Sequence, residues 1–443
     1  MALPVASELT QLQRAAQPLR GDAADYDGLL DRIGDARIVL IGESSHGTHE
    51  FYRERAAITR RLILELGFTA VAAEADWPDA YRVNRFLRGE SADTDAQEAL
   101  QDFRRFPAWM WRNTDVLAFV EWARAHNRRV RDEHRVGFYG LDLYSLRASM
   151  QAVLAYLDRL DPGAARQARA RYACFDQFDG DPQVYGLAAA HSGKASCEDD
   201  VVTQLVALRA RASDYLTRGG RLADDDYFFA EQNAQLVRDA EAYYRAMFRG
   251  RVSSWNLRDR HMQQTLQALD RHLSRAGRPV KIVVWAHNPH LGDARATEMQ
   301  ERGEFNLGQL VRMVYPRTSV LVGLFTYAGT VTAASDWDAP AQRVQLRPAL
   351  PGSYEALFHA LDGNFLLRMD HADAAVLALP RLQRAVGVVY RPESERQSHY
   401  FTASLQRQFD VVLHFDQTRA LKPLELNAAW QEGELPETFP SGM

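Results

Sequence analysis

An α/β fold, with a mixed, mostly parallel central sheet flanked by helices, is what the sequence predicts, on three observations. Short apolar runs recur along the chain, helical periodicity fills many of the gaps between them, and the residues with chemical potential stand directly after the runs. The first run, Ile38–Ile41, is too short for a helix core and stops at Gly42, so it reads as a buried strand. Ala70–Ala73, Val136–Leu141, Ile282–Ala286, Val320–Phe325, Val386–Tyr390 and Val411–Phe415 read the same way. The later runs lie closer together, and Ala328-Gly329 is expected to turn a hairpin, which makes the sheet mixed.

Two helices place charges on an inward face. From Glu50 to Leu66 the apolar stripe is Phe51, Ile58, Leu62 and Leu66, and Arg55 lies four residues after the first of these and three before the second. The stripe Met262, Leu266, Leu269 and Leu273, extended back by four, reaches Arg258 beside Trp255. A buried guanidinium needs an anion, and Glu43, Glu74, Asp142 and Asp259 are the candidates.

Between about Ser145 and Leu273 no strand signal occurs, but Met150, Val153, Leu154 and Leu157 have helical spacing, as do Val201, Leu205, Leu208 and Tyr215. The chain therefore divides into an N-terminal part of the α/β core (1–144), a helical insertion (145–273) expected to cover the cleft, and a C-terminal part of the core (274–443). The irregular stretch from Phe175 to Gly186, rich in Gly, Asp and aromatics, has the composition of a loop over a site. Asp224–Asp226 reads as a solvated helix start.

With 443 residues, 46% of them hydrophobic, the chain can bury a large core. Its 53 Lys and Arg against 58 Asp and Glu leave a net charge of −5, which gives no electrostatic case for a nucleic-acid partner. Cys174 and Cys197 are too few for a disulfide framework or a thiolate zinc site. The N-terminus lacks the pattern of a secretory signal, and no run of about 18 apolar residues spans a bilayer, so no membrane association and a cytoplasmic location are expected.

In open α/β sheets, ligands bind outside the carboxyl ends of the strands. Four segments present polar residues there: G-E-S-S-H-G with Glu43 and His46, A-E-A-D-W-P with Glu74 and the helix-capping position Asp76, G-F-Y-G-L-D with Asp142, and V-V-W-A-H-N-P-H with His287 and His290. A fifth, S-W-N-L-R-D-R-H-M, opens a helix with Arg258 and Asp259. Trp77, Trp111, Asp142, Arg258 and His290 are candidate substrate-binding residues, the tryptophans as core or pocket wall.

Three chemistries fit. His46 acts as a general base on water, with Glu43 or Glu74 orienting the imidazole and His287 or an arginine stabilising the oxyanion. Ser44 as a nucleophile is disfavoured, because the strand-to-helix elbow is G-x-S-x-G and His46 stands at its second glycine position. His46, His287 and His290 with Glu43 or Glu74 form an adequate donor set for zinc, although Pro289 within H-N-P-H breaks helical spacing. No phosphate loop is present.

These segments resemble those of the erythromycin esterase family. I-G-E-S-S-H-G-T-H-E-F-Y, L-G-F-T-A-V-A-A-E-A-D-W, F-P-A-W-M-W-R-N, G-F-Y-G-L-D, N-L-R-D-R-H-M, V-V-W-A-H-N-P-H-L and G-V-V-Y-R-P-E are each similar to a family block, in the family's order. Ser45 departs from the pattern, standing where threonine is frequent. The resemblance implies an α/β core with a helical insertion and a deep cleft. It also implies hydrolysis of an ester or macrolactone by histidine-activated water, with no metal or cofactor required. By position, His46 becomes the general base, and Glu43, Arg55, Glu74 and His287 the polar set around it. The expected partner is a small-molecule ester or lactone. A metal-dependent hydrolase using the same His/Glu cluster and a non-catalytic binding protein are the alternatives.

Overall fold

The structure, a computed structural model, describes residues 6–178, 182–191, 196–218, 223–248, 250–274, 279–372, 375–428 and 430. Strands β1 (Gln17–Pro18), β2 (Ile38–Ile41), β3 (Ala70–Asp76), β4 (Gly137–Asp142), β5 (Ile282–Trp285), β6 (Ser319–Ala333), β7 (Gln342–Leu346), β8 (Phe365–Arg368) and β11 (Val411–Thr418) build one nine-stranded sheet. Its order is β1-β8-β11-β6-β2-β5-β3-β4, with β7 on the far half of β6. The pairings from β11 through to β4 are parallel, whereas β1, β7 and β8 join antiparallel. The sheet is mixed and mostly parallel. A separate antiparallel pair, β9 (Arg381–Arg384) and β10 (Tyr400–Ala403), lies beside it.

The central strands are continuous apolar runs because both of their faces are covered. Ile38, Leu40, Ala70, Ala72, Ile282 and Val284 enter one hydrophobic cluster, and Val39, Ile41, Val71, Ala73, Val283 and Trp285 enter the other. Arg55, on the helix His49–Leu66, is fully buried as its stripe position requires.

Two strand expectations are corrected. Ala328-Gly329 does not turn: β6 runs straight through it, with Gly329 at φ 138° and its Cα hydrogens against the Thr418 carbonyl, and the chain reverses only between Ala333 and Gln342. Val386–Tyr390 forms no strand. It makes single bridges to two different segments, Ser45 to Val386 and Ala334 to Val389, and so has no one partner with which to form a ladder.

Every described element from Leu146 to Leu273 is helical. These helices pack on one another and on the helix Trp77–Arg88, and among their described residues Trp255 and Arg258 reach the cavity described below. The apolar stripes of the block face one another, and the block contributes Trp255 and Arg258 to one wall of the cavity. Residues 179–181 of the Phe175–Gly186 stretch lie outside the described residues, and the rest of that stretch does not line the cavity. Cys174 and Cys197 form one disulfide, which the cysteine count did not predict. Such bonds are rare in reducing compartments, so it lends no support to the cytoplasmic expectation. No described helix is long and apolar enough to cross a membrane.

Candidate active site

Four adjacent parallel strands, β2, β5, β3 and β4, end on the same edge of the sheet, and each delivers a polar group there. Glycine makes the first turn possible. A Cβ on Gly42 would stand 2.0 Å from Asn288 Oδ1, and one on Gly47 would stand 1.7 Å from the Thr332 carbonyl oxygen. Between those two contacts the chain lifts Glu43 and His46 off the end of β2.

His46 Nδ1 lies 3.0 Å from Glu43 Oε1, and Arg55 Nη1 lies 3.3 Å from Glu43 Oε2. The Arg55 guanidinium also sits over the Tyr52 and Trp285 rings, at 4.5 and 5.0 Å from their centroids. The imidazoles of His46 and His287 stack with centroids 4.3 Å apart. Burial and then the neighbouring His46 hold the His287 pKa well below the ordinary histidine value, so this ring is neutral. Its Nε2 is buried with no protein partner.

Glu74, at the end of β3, joins both halves of the site. Its Oε2 accepts from the His287 main-chain N–H at 2.9 Å and its Oε1 from Arg258 Nη2 at 2.5 Å. Burial would raise this carboxyl, but His290, Arg258 and His46 outweigh it and hold the pKa far below the carboxylate range. Arg258 also grips Asp142 with two nitrogens, at 3.0 and 2.7 Å, and Asp142 is likewise held ionised against its burial. Its Nη1, which can only donate, lies 2.9 Å from His290 Nε2. His290 Nδ1 meets both oxygens of Asp259, and its ring stacks on Trp255 at 4.4 Å. Burial lowers the His290 pKa, but Asp259 and Glu74 overcome it and produce a net rise.

These groups face a cavity of about 420 Å³. His46, Glu74, Asp142, Arg258, His287, His290 and Trp111 line it, whereas Glu43 and Arg55 stand behind His46. Trp77 does not reach the cavity. Its ring is 1% exposed and packs among Tyr81, Tyr139, Phe228 and Phe229, because the helix that opens at residue 77 turns that position to the core. Asp259 pairs with His290 rather than with an arginine.

Several wall residues escaped the sequence reading. Asp76 occupies the helix N-cap position but caps nothing; its carboxylate binds Arg105 Nε at 2.9 Å. One turn on, burial and then Asp76 push the Asp79 carboxyl up to about 8. Tyr144 lies between two guanidinium groups, Arg105 at 4.7 Å and Arg258 at 4.9 Å. Phe103, Phe106, Trp337 and Tyr400 complete an aromatic outer wall. The cavity-facing period in the Asp76–Asp79 turn was available as a signal, whereas in the wall from Ala385 to Phe401 the family block G-V-V-Y-R-P-E marked the segment but not its place at the cavity.

The family model described as erythromycin esterase matches residues 63–418. The chain belongs to the erythromycin esterase family. Among curated relatives of this erythromycin esterase family member, the "Erythromycin esterase type II" of Escherichia coli is 29% identical over 119 residues, 27% of this chain. That match spans about a quarter (26%) of the relative's length. The "Putative hydrolase YbfO" of Bacillus subtilis (strain 168) is 21% identical over 368 residues, 79% of this chain and 78% of that protein. The fold matches a Bacillus cereus crystal structure with a TM-score of 0.78 at 19% identity, over 96% of this chain and 100% of the other. A histidine-substituted erythromycin esterase EreC in its open conformation matches with a TM-score of 0.65 at 19% identity, over 94% and 98% of the two chains.

Proposed function

We propose that this member of the family is a carboxylic ester hydrolase that cleaves an ester or lactone, macrolactones included, with water activated by His46. The observation that carries this reading is the Glu43–His46–His287 arrangement at the cavity wall. With Nδ1–H donated to Glu43, the His46 Nε2 lone pair is the proton acceptor, and Arg55 is the ion-pair partner of Glu43 beneath it. Neutral His287 offers a second nitrogen lone pair beside the first, so one water can be held by both rings. The proton moves from that water to His46 Nε2 as the oxygen adds to the carbonyl carbon. The imidazolium so formed and Arg258 offset the charge on the tetrahedral oxygen. Collapse of the adduct breaks the C–O bond, and His46 returns its proton to the leaving alkoxide.

Ser44 supports this route by its placement, since its side chain is fully buried and off the cavity wall. Of the candidate metal donors, Glu74 is engaged with Arg258 and the His287 N–H, and His290 with Asp259 and Arg258, whereas His46 bonds Glu43 through Nδ1 alone and His287 Nε2 has no protein partner. A screen of lactones and simple esters, run on the wild type and His46→Ala with and without chelator, tests the proposal. Turnover that survives chelation and vanishes in His46→Ala supports it. Activity lost to chelator and restored by zinc or manganese assigns the cluster to a metal, and binding without any hydrolysis assigns the chain to the non-catalytic reading.

A further inference from the structure

A second fully buried guanidinium lies on the other side of the His46 turn. Arg384 ends β9 with no exposed surface, and each of its three nitrogens is spoken for. Nε donates to the Tyr400 hydroxyl at 2.9 Å, Nη1 to the Tyr327 carbonyl at 2.9 Å and Nη2 to the Arg347 carbonyl at 2.7 Å. Glu395 is its counter-ion at 3.2 Å, and its own N–H donates to Glu355 at 2.9 Å. The planar fork thus ties β6, the chain after β7 and β10 to one point.

Two residues later that point meets the site. The Val386 N–H donates to the Ser44 carbonyl at 2.8 Å, and the His46 N–H donates to the Val386 carbonyl at 3.2 Å. This single parallel bridge brackets Ser45 and is not part of any continuous strand, so its height depends on the anchoring on either side. Ala385, Gly387, Val388 and Tyr400, all within or tied to the same segment, line the cavity. The main chain of His46 is thus tied to Val386, two residues after Arg384, and the turn is held besides at Glu43 by the Asn288 N–H and at Gly47 by the Thr332 and Leu421 N–H groups.

We infer that Arg384 is a positioning residue for the site: it sets the main-chain position of His46 and, through Ala385–Val388 and Tyr400, the wall opposite the strand ends. Its kinetic consequence rests on the reading of His46 as the base, but its structural consequence does not. Displacing a base by about 1 Å costs about 100-fold in rate, so Arg384→Met lowers kcat by about 10- to 100-fold and also raises KM, because the wall moves with the turn. Arg384→Lys keeps the charge but not the three-way fork, and falls between the two.

The test reads His46 directly. In protein labelled with 15N-histidine, His46→Ala identifies the His46 ring signals, which are then compared in Arg384→Met, Arg384→Lys and Tyr400→Phe alongside kcat and KM. Displaced His46 signals in folded Arg384→Met, smaller displacements in the two milder variants, and a matching loss of kcat support the inference. His46 signals that stay in place in a folded variant overturn it, whatever the change in melting temperature. If Arg384→Met does not fold, the two milder variants decide on the same criterion. Displaced signals with unchanged turnover uphold the positional link and overturn His46 as the base.

Discussion

The imidazoles of His46 and His287 lie 4.3 Å apart and nearly parallel, 29° between their planes, although they arrive from separate strands, β2 and β5. Adjacent parallel pairing of those strands puts the two rings side by side. Only one of them is oriented by a carboxylate, and this asymmetry separates their roles: Glu43 fixes the orientation of the His46 ring, while burial keeps His287 neutral.

Replacing His46 by Ala is expected to lower kcat by about 100- to 10,000-fold while leaving affinity for a non-hydrolysable analogue unchanged. Ser44→Ala is expected to retain most activity, because its hydroxyl does not face the cavity. Steady-state kinetics and calorimetric titration on both variants check this, and a dead Ser44→Ala contradicts it.

Arg55→Ala leaves the Glu43 carboxylate buried without its counter-ion, and is expected to destabilise the protein by about 3–5 kcal/mol. Adding Glu43→Gln removes the orphaned charge. Denaturant melts should show the double variant more stable than Arg55→Ala alone; additive losses would mean that the pair is not coupled.

Acidification separates His287 from the carboxylates. Its folded pKa is depressed, so below the unfolded histidine value near 6.5 the unfolded chain binds a proton that the native site refuses, and stability falls. Glu74 and Asp142, also depressed, contribute stability that is present above the unfolded carboxylate range near 4 and lost as pH falls through their folded values. His290 is raised and acts in the opposite sense, adding stability below about 6.5. Between pH 7 and 5.5 the loss from His287 is thus read without Glu74 and Asp142, and His287→Asn should make the melting temperature less sensitive to acid over that interval than the wild type. An unchanged slope would contradict a neutral, desolvated His287.

Asp79 gives the converse profile. With its carboxyl raised to about 8, the folded protein holds a proton that the unfolded chain releases above about pH 4, so stability is lost from there up to pH 8. Asp79→Asn removes that loss. Its melting temperature should match the wild type near pH 4 and exceed it near pH 8, as differential scanning calorimetry across the range will show.

Much of this site was legible because the chemistry sits at strand ends, where a continuous apolar run gives way to a turn. Ile38–Ile41 read out to its true bounds, and Glu43, His46, Glu74, Asp142 and His287 followed from the strands that precede them. Arg55 and Arg258 were found by helical spacing alone. The misses share a cause. Val386–Tyr390 has strand composition but only isolated bridges, and Ala328-Gly329 has turn composition inside a long strand, since both outcomes depend on which neighbours are present. Trp77 and Asp76 differ by one residue and by a rotation of the helix, which decides core against cavity and which no local pattern fixes. Arg384, just before the wall from Ala385 to Phe401, bonds Tyr327 and Arg347 far back in the chain, ties that no local pattern shows.

Rapid-quench turnover of a hydrolysed lactone, with the intact mass of the protein recorded through the first turnovers, tests the central claim most directly. Direct attack by His46-activated water predicts linear product release from the start and a protein mass that never changes. A burst of product equal to the enzyme concentration, with the mass of an acyl group added to the chain, would contradict it.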